Sequence, residues 1–261
     1  MEVDVIRSTE KPDQLFCQAA RGDYYDGYIG DCDYEELMEP VDYDKTDVEA
    51  VKEHLRQNGG DWKDEHMASD EIETAARTRA FVRKQLSRGH FGPAENPQIT
   101  FAVENVSRSM MAQITRHRHM TFDVQSQRYV DFSEKEAIVP KSLADPDHVS
   151  RETGETAVDN REGHERAYRR HARQAFTRYE MMVEDGVPKE DARFILPIGT
   201  PVNMTFSGNA RTFMHVFNLR QKANAQHEIR QLCDELARHL KDWAPYMFNW
   251  YDENKPHNIG P

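Results

Sequence analysis

The sequence has few cysteines, and they are widely spaced. Cys17, Cys32 and Cys233 are odd in number and form no C-x-x-C pair. This spacing argues against a disulfide framework and against a cysteine-based zinc site. Because reduced thiols are typical of intracellular proteins, we expect a cytoplasmic location.

Long apolar runs are also absent. No segment is long and apolar enough to span a bilayer. The first ten residues, MEVDVIRSTE, have neither the basic start nor the apolar centre of a secretory signal. We therefore expect no association with a membrane.

Positive charge is scarce in this chain. The 34 Lys and Arg residues face 46 Asp and Glu residues, and the formal net charge is −12. A surface this acidic argues against nucleic-acid binding, because a phosphate backbone needs a basic footprint. Salt-adapted proteins use such a charge balance, and a salt-adapted source is a hypothesis here. Local clusters of basic residues become informative against this background.

Several common catalytic motifs are missing. The sequence contains no nucleophile elbow, P-loop or zinc-protease helix, and no G-x-G-x-x-G that would indicate a Rossmann nicotinamide site. His117 and His119 could suggest a metal, but the flanking arginines repel cations, so we expect no metal site. An enzyme without an activated nucleophile usually takes its chemistry from a cofactor.

Basic residues concentrate in one segment, residues 116–129, which reads RHRHMTFDVQSQRY. Guanidinium groups bind phosphate bidentately, and hydroxyls and amides fill the remaining acceptor positions. The segment therefore favours recognition of a planar, multiply charged anion, with a solvated basic loop as the alternative. Arg193, Arg211 and Arg220 could contribute to the same site. Arg193 and Arg211 could equally form ion pairs on helix surfaces.

Hydrophobic periodicity and capping residues predict a mixture of helices and strands. Strands are predicted at 2–6, 98–104, 129–139 and within 198–208. Helices are predicted at 12–22, 46–57, 70–87, 106–115 with Asn105 as its cap, 165–184, 188–197, from 209, and in a last helix that Pro245 ends.

The remaining segments are predicted to be irregular. The basic segment is predicted as a loop between a helix and a strand, residues 23–45 as an acidic irregular stretch, and residues 140–163 as a polar excursion. We expect one domain over residues 1–261.

The basic segment resembles the signature RHRxxSxxxxSxR of the flavin-dependent thymidylate synthases. Further segments resemble motifs of that family in the same order: GHFGPAEN at 89–96, DARFILP at 191–197, NARTFMHVFNLR at 209–220 and AQHEI at 225–229. The resemblance covers most of the chain from about residue 69 to the last helix.

Some positions depart from the family pattern. Thr121 stands in place of the first signature serine, and Val124 replaces a polar residue that touches the nucleotide. Asn96 and Asn224 each replace a histidine, and Asp23 replaces a serine. A relative that has lost synthase activity through the changes at 124 and 96 is therefore one alternative.

The resemblance implies an α+β fold, with a twisted antiparallel sheet packed with long helices in a homotetramer of the thymidylate synthase-complementing type. It implies reductive methylation of dUMP to dTMP, with methylenetetrahydrofolate as carbon donor, NADPH as reductant, and FAD, bound between subunits, as hydride carrier. The alternative from another class is a nucleotide- or RNA-binding module without flavin chemistry.

The resemblance also assigns roles to residues. The residues expected at dUMP are Gln113, Arg116, Gln125, Ser126, Gln127, Arg128, Arg193 and Arg220. The residues expected at FAD are His90, Glu95, Arg116, His117, Arg118, Asn209, Arg211, His215 and Leu219. The residues expected to be catalytic are Arg220, Ser126 and Arg128. Arg220 would stabilise negative charge on a pyrimidine carbonyl, and Ser126 would donate a hydrogen bond rather than attack.

Overall fold

Helical and extended segments alternate along the chain, and the computed structural model describes residues 1–58, 69–148 and 158–256. The strands are β1 (Glu2–Ser8), β2 (Gln98–Ser107), β3 (Thr121–Val124) and β4 (Pro201–Asn209). The helices are α1 (Pro12–Gly22), α2 (Tyr34–Met38), α3 (Lys45–Asn58), α4 (Ser69–Ser87), α5 (Arg108–Ile114), α6 (Lys141–Ala144), α7 (Arg161–Glu184), α8 (Lys189–Ala192), α9 (Ala210–Arg220), α10 (His227–Trp243) and α11 (Pro245–Asn254).

Internal contacts divide the chain into two compact units. The first unit comprises Met1–Ile6, Thr100–Ser207 and Leu219–Asp234. The second unit comprises Arg7–Ile99, Gly208–Asn218 and Glu235–Pro261. A single domain over residues 1–261 stays a prediction.

The first unit is built on a four-stranded sheet with the order β1-β2-β4-β3. β3 pairs antiparallel with β4, and Thr121 lies opposite Ser207. The ring centroid of Phe206 on β4 lies 5.9 Å from that of Phe101 and 5.9 Å from that of Phe122. Such pairs stabilise one face of a sheet. The mixture of helices with antiparallel strands confirms the coarse part of the predicted fold class.

The start of α5 differs from its prediction, because β2 continues to Ser107 and Asn105 is not the cap. Asn105 has a φ of 55°, a left-handed conformation that asparagine adopts more readily than most residues. Ser107 Oγ accepts a hydrogen bond from the Met110 N–H at 3.0 Å. Ser107 is therefore the N-cap of α5.

The predicted loop at 116–129 is wrong in part, and the predicted strand at 129–139 is wrong. The four-residue strand β3 lies inside the basic segment, where exposure alternates along Thr121–Val124. A strand this short carries little periodic signal among polar residues. Within the described chain, residues 129–139 contain no strand. Asp131 Oδ1 accepts the Ser133 N–H at 2.9 Å, and this local turn interrupts extended pairing.

Two segments predicted to be irregular contain short helices. Residues 23–45 include α2, whose cap Asp33 accepts the Glu35 N–H at 2.9 Å. The predicted excursion at 140–163 includes α6 and the start of α7, and its residues 149–157 lie outside the described residues. No helix within the described ranges is long and apolar enough to cross a membrane.

In the second unit, α1, α3 and α11 pack against α4. Pro245 follows α10, as predicted, but it also begins α11, because proline at the first helical position loses no hydrogen bond. The C-terminal aromatic residues Phe248, Trp250 and Tyr251 are buried. Trp250 Nε1 donates to Ser87 Oγ on α4 at 2.9 Å.

A buried carboxylate joins the first and last helices of the second unit. Asp13 is 5 % exposed and accepts the N–H groups of Tyr246 and Met247, each at 3.1 Å. Burial raises the pKa of Asp13 from 3.8 to about 7, so the folded chain holds this proton more tightly than the unfolded chain does. The free energy of unfolding should therefore fall as the pH rises from about 4 to about 7.

We expect the substitution Asp13→Asn to remove this part of the pH dependence. The variant keeps one acceptor oxygen for α11 and has no proton to lose. Denaturant unfolding of both proteins between pH 4 and pH 8 should show the wild type losing stability relative to the variant by a few kcal/mol, at about 1.4 kcal/mol per pKa unit. Parallel curves for the two proteins would contradict this role for Asp13.

Candidate active site

Two arginines from separate segments meet at one glutamate in the first unit. Arg128, which follows β3, donates from Nε to Glu190 Oε2 at 2.7 Å. Arg193, which follows α8, donates from Nε to the main-chain oxygen of Glu190 at 2.9 Å. We call Arg128, Glu190 and Arg193 the arginine–glutamate cluster. Both guanidinium groups are tethered through Nε, which leaves the terminal Nη fork that binds phosphate or carboxylate bidentately.

The arginine–glutamate cluster brings together two arginines that are both predicted from the sequence to bind dUMP. Glu190 was missed, because an acidic residue near a predicted anion site gives no signal in sequence. Hydrogen bonding to Glu190 raises the pKa of Arg128. This ion pair is solvent-exposed on both sides, so it contributes little stability. An incoming anion can replace Glu190 at Arg128.

A third arginine lies near this cluster. Burial lowers the pKa of Arg108, and the positive charge of Arg193 lowers it further. Like charges held close together indicate a place where an anion would be favourable. Arg108 was not predicted as a site residue, although it begins the helix that carries Gln113.

Ser126 and Gln127 precede Arg128 in a tight turn. Ser126 Oγ accepts the Arg128 N–H at 3.2 Å, so its own proton can still be donated. Among the described residues, no carboxylate or imidazole accepts that proton, and this arrangement does not activate a nucleophile. Gln127 is 5 % exposed, and its buried Nε2 has no hydrogen-bond partner within the described residues.

Arg220, at the end of α9, is the centre of a second cluster in the first unit. Its Nε donates to His117 Nε2 at 2.9 Å, and its Nη2 donates to the main-chain oxygen of Gln113 at 3.1 Å. Gln113 Nε2 in turn donates to Gln226 Oε1 at 2.6 Å. We call Gln113, His117, Arg220 and Gln226 the Arg220 cluster. Gln226 was not predicted as a site residue.

The Arg220 cluster determines the protonation of His117 and the availability of Arg220. Because His117 Nε2 accepts a hydrogen bond, the buried imidazole is neutral and carries its proton on Nδ1. A guanidinium has five N–H donors, and two contacts use two of them. The remaining donors of Arg220 can bind a carbonyl oxygen that becomes negatively charged during a reaction.

Other residues of the first unit that are predicted for the site are not members of the two clusters. The side chains of Arg116 and Arg118 are exposed. Gln125 is half-buried, and its main-chain N–H donates to the Asn203 oxygen at 2.9 Å. Leu219 is exposed on α9.

The second unit holds the other predicted residues. Arg211 Nη1 contacts Glu95 Oε1 at 2.5 Å, which fixes a half-buried guanidinium. His90 Nε2 lies 3.9 Å from the Asp23 carboxylate, so the aspartate that departs from the family pattern faces a predicted site residue. Asn209 Oδ1 accepts the Thr212 N–H at 2.8 Å.

Two of these second-unit residues have a clear structural setting. Asn209 serves as the N-cap of α9, and His215 is half-buried further along that helix. Across the described ranges, no group of three or more His, Cys, Asp or Glu side chains is placed to hold a metal ion.

Tethered arginines, hydroxyls and amides on a mixed helix and sheet scaffold are the donor types that a planar, anionic ligand requires. Comparison with known proteins identifies the family to which the chain belongs. The family model described as "Thymidylate synthase complementing protein" matches residues 4–246. The chain therefore belongs to this family, the flavin-dependent thymidylate synthases.

Individual proteins that are similar to this chain carry the name of the same family. A flavin-dependent thymidylate synthase of Haloarcula marismortui is 40 % identical over 97 % of this chain and 96 % of its own. The enzyme of the same name from Halobacterium salinarum is 37 % identical over 98 % of this chain and 97 % of its own.

A solved structure shows the same fold at lower identity. The UMP/dUMP methylase PolB from Streptomyces cacaoi, bound with 5-Br dUMP, matches with a TM-score of 0.71 and 19 % identity, over 97 % of this chain and 94 % of that one. At this identity the likeness concerns the fold alone.

Proposed function

We propose that this protein makes dTMP from dUMP, with methylenetetrahydrofolate as carbon donor, NADPH as reductant and FAD as hydride carrier. Flavin-dependent synthesis of dTMP follows from family membership over nearly the whole chain. The folate, NADPH and the roles of single residues are the finer part of the proposal. The overall reaction is balanced: dUMP, methylenetetrahydrofolate, NADPH and a proton give dTMP, tetrahydrofolate and NADP⁺.

The observation that supports the proposal most strongly is the pair of arginines tethered at Glu190. We assign Arg128 and Arg193, with Ser126, to the phosphate of dUMP, because two free forks and a hydroxyl donor match its oxygens. Gln125, Gln127 and Arg116 are assigned to the rest of the nucleotide.

The Arg220 cluster is assigned to the pyrimidine. Gln113 and Arg220 would bind its polar edge, and Arg220 would stabilise negative charge that develops on a carbonyl oxygen during carbon–carbon bond formation. The contacts from His117 and from the Gln113 main chain hold the guanidinium in place before the substrate binds. The protein therefore positions and polarises the substrate, without covalent attack.

The donor set also fits FAD. The guanidinium of Arg211, held by Glu95, is suited to a diphosphate, and Arg116 and Arg118 are exposed cations. The FAD assignments are those that the family resemblance implies, namely His90, Glu95, Arg116, His117, Arg118, Asn209, Arg211, His215 and Leu219. The chemistry that bound FAD supplies is hydride transfer.

We also propose that the protein is a cytoplasmic homotetramer. Large apolar side chains close in sequence to Arg128 and Arg193 are exposed: Phe194 by 85 %, Tyr129 by 78 % and Ile198 by 69 %. A contiguous patch of exposed apolar side chains is typical of protein interfaces. Another subunit that covered them would also exclude water from the nucleotide.

The positions that depart from the family pattern have identifiable partners. Val124 lies opposite Met204 in the sheet, and Asn96 Nδ2 donates to the Pro93 oxygen at 3.1 Å. Neither residue is a member of the arginine–glutamate cluster or of the Arg220 cluster. The proposal is therefore an active synthase. Family membership also favours it over the RNA-binding alternative.

A visible absorption spectrum tests the proposal. We expect flavin bands after addition of FAD and a shift of those bands when dUMP is added. Turnover of dUMP to dTMP with methylenetetrahydrofolate and NADPH is then measured directly. A protein that ignores FAD at low and at high salt, and that binds single-stranded RNA, would refute the proposal.

The variant Ser126→Ala distinguishes hydrogen bonding from nucleophilic attack. Because Ser126 has no base, we expect the KM for dUMP to rise by roughly tenfold, in line with one hydrogen bond to a charged group, and kcat to change little. The matched control is Ser133→Ala, in a turn next to Asp131. Complete loss of turnover with unchanged dUMP binding would restore the nucleophile hypothesis.

A further inference from the structure

Glu228, in the first turn of α10, has no role in the site described above, yet it makes two strong contacts. One of its carboxylate oxygens accepts the Ser107 N–H at 2.7 Å, and the other accepts the Ser107 hydroxyl in a short hydrogen bond. Ser107 is 3 % exposed. A charged acceptor for two donors of one buried residue is a strong arrangement.

Through Ser107, this contact fixes the beginning of α5. The Ser107 hydroxyl oxygen accepts the Met110 N–H while its proton goes to Glu228. The N-cap of α5 is thus attached to the first turn of α10.

The C-terminal end of α5 is attached to a residue close to Glu228 in the chain. Gln113 Nε2 donates to Gln226 Oε1 at 2.6 Å, and Gln226 lies two residues before Glu228 in the chain. Gln113 also presents its main-chain oxygen to Arg220 Nη2 at 3.1 Å. Neighbouring residues at the start of α10 therefore hold α5 at both ends, and one end carries a contact to Arg220.

We propose that Glu228 is a positioning residue for the nucleotide site. It acts through Ser107 to fix α5, and thereby the places of Gln113 and Arg220. This inference rests on the proposed function, which assigns Gln113 and Arg220 to the pyrimidine. The site requires a carboxylate, because Ser107 offers two donors and only a carboxylate presents two acceptor oxygens, whereas an amide has one.

The substitution Glu228→Gln tests this inference with almost no change in shape. Its amide NH₂ would face one of the Ser107 donors, so α5 should shift. We expect kcat/KM for dUMP to fall by on the order of tenfold to a hundredfold, because small displacements of positioning groups cause losses of this size. Both a lower kcat and a higher KM should contribute. The control Glu235→Gln, on the same helix and paired with the exposed Arg238, should stay within about twofold of wild type.

A second variant shows whether Glu228 acts through Ser107. Ser107→Ala removes the hydroxyl and should cause a similar loss. The double variant should then be little worse than either single one, because residues in one network are not additive. Losses that multiply would overturn the inference. So would a Glu228→Gln protein with a lower melting temperature but wild-type kcat and KM, since this would show a role in stability alone.

Hydrogen exchange separates the two proposals. Amides of α5 should exchange faster in Glu228→Gln than in Glu235→Gln or wild type. If the wild type makes no dTMP, the proposed function fails, and the exchange rates alone decide the attachment of α5. Equal exchange rates would refute that attachment. If Glu228→Gln does not fold, Ser107→Ala is used for the same measurements.

Discussion

Replacing Arg220 with lysine should lower kcat for dTMP formation by about a hundredfold or more, as loss of one preorganised donor to a developing negative charge does. Lysine keeps the charge but has no fixed fork. Of its three donors, contacts to His117 Nε2 and the Gln113 oxygen would leave only one for a pyrimidine, whereas arginine keeps three. We expect dUMP binding to weaken less than turnover.

The measurement is the steady-state rate of dTMP formation, normalised to the FAD content of each protein. Arg238→Lys is the matched control, because this arginine is exposed and pairs with Glu235 on the surface of α10. It should behave like the wild type. If the kcat of Arg220→Lys stays within about threefold of wild type, the fork of Arg220 is not required for the reaction. Losing one such donor would lower kcat by far more than about threefold.

The second large effect concerns the arginine–glutamate cluster. Replacing Arg193 with alanine should raise the dissociation constant of dUMP by about tenfold to a hundredfold, because hydrogen bonds to charged groups contribute about 1.5–3 kcal/mol. Arg128→Ala should behave similarly. The two losses should be less than additive when combined, since both arginines depend on Glu190.

Deoxyuridine, which has no phosphate, tests whether Arg193 contacts the phosphate of dUMP. Its affinity should be unchanged by Arg193→Ala, whereas dUMP should lose most of its advantage over deoxyuridine. Arg170→Ala, an exposed arginine of α7, is the control. Equal losses for both ligands would place Arg193 at another part of the nucleotide or in the fold.

Much of the helical structure could be predicted from the sequence, because proline, glycine and apolar spacing mark helix ends clearly. The helix Pro12–Gly22 agrees with its prediction at both ends. The predictions that were wrong concern the strand at 129–139, which does not form among the described residues, and the short elements around it. β3 has four residues, and its alternation is hidden among the polar residues of the motif. The N-cap of α5 depends on where pairing in β2 stops, which Asn105 and Ser107 do not show by themselves.

The site was predicted in part for similar reasons. Arginines in a recognised motif are visible in sequence, and Arg128 and Arg193 do lie on one cluster. Their common partner Glu190 is a tertiary contact between segments 62 positions apart. Such a contact leaves no local pattern, and the same holds for Gln226 at Gln113.

The attachment of α5 to α10 also has a consequence for synthesis on the ribosome. Ser107 and Glu228 are 121 positions apart, so α5 can acquire this partner only after the 121 residues that follow Ser107 have been translated. Until then, α5 lacks the contact that we infer holds the nucleotide site in place. Because a ligand stabilises only a state that binds it, dUMP can protect the finished chain from unfolding or proteolysis but cannot assist the growing one.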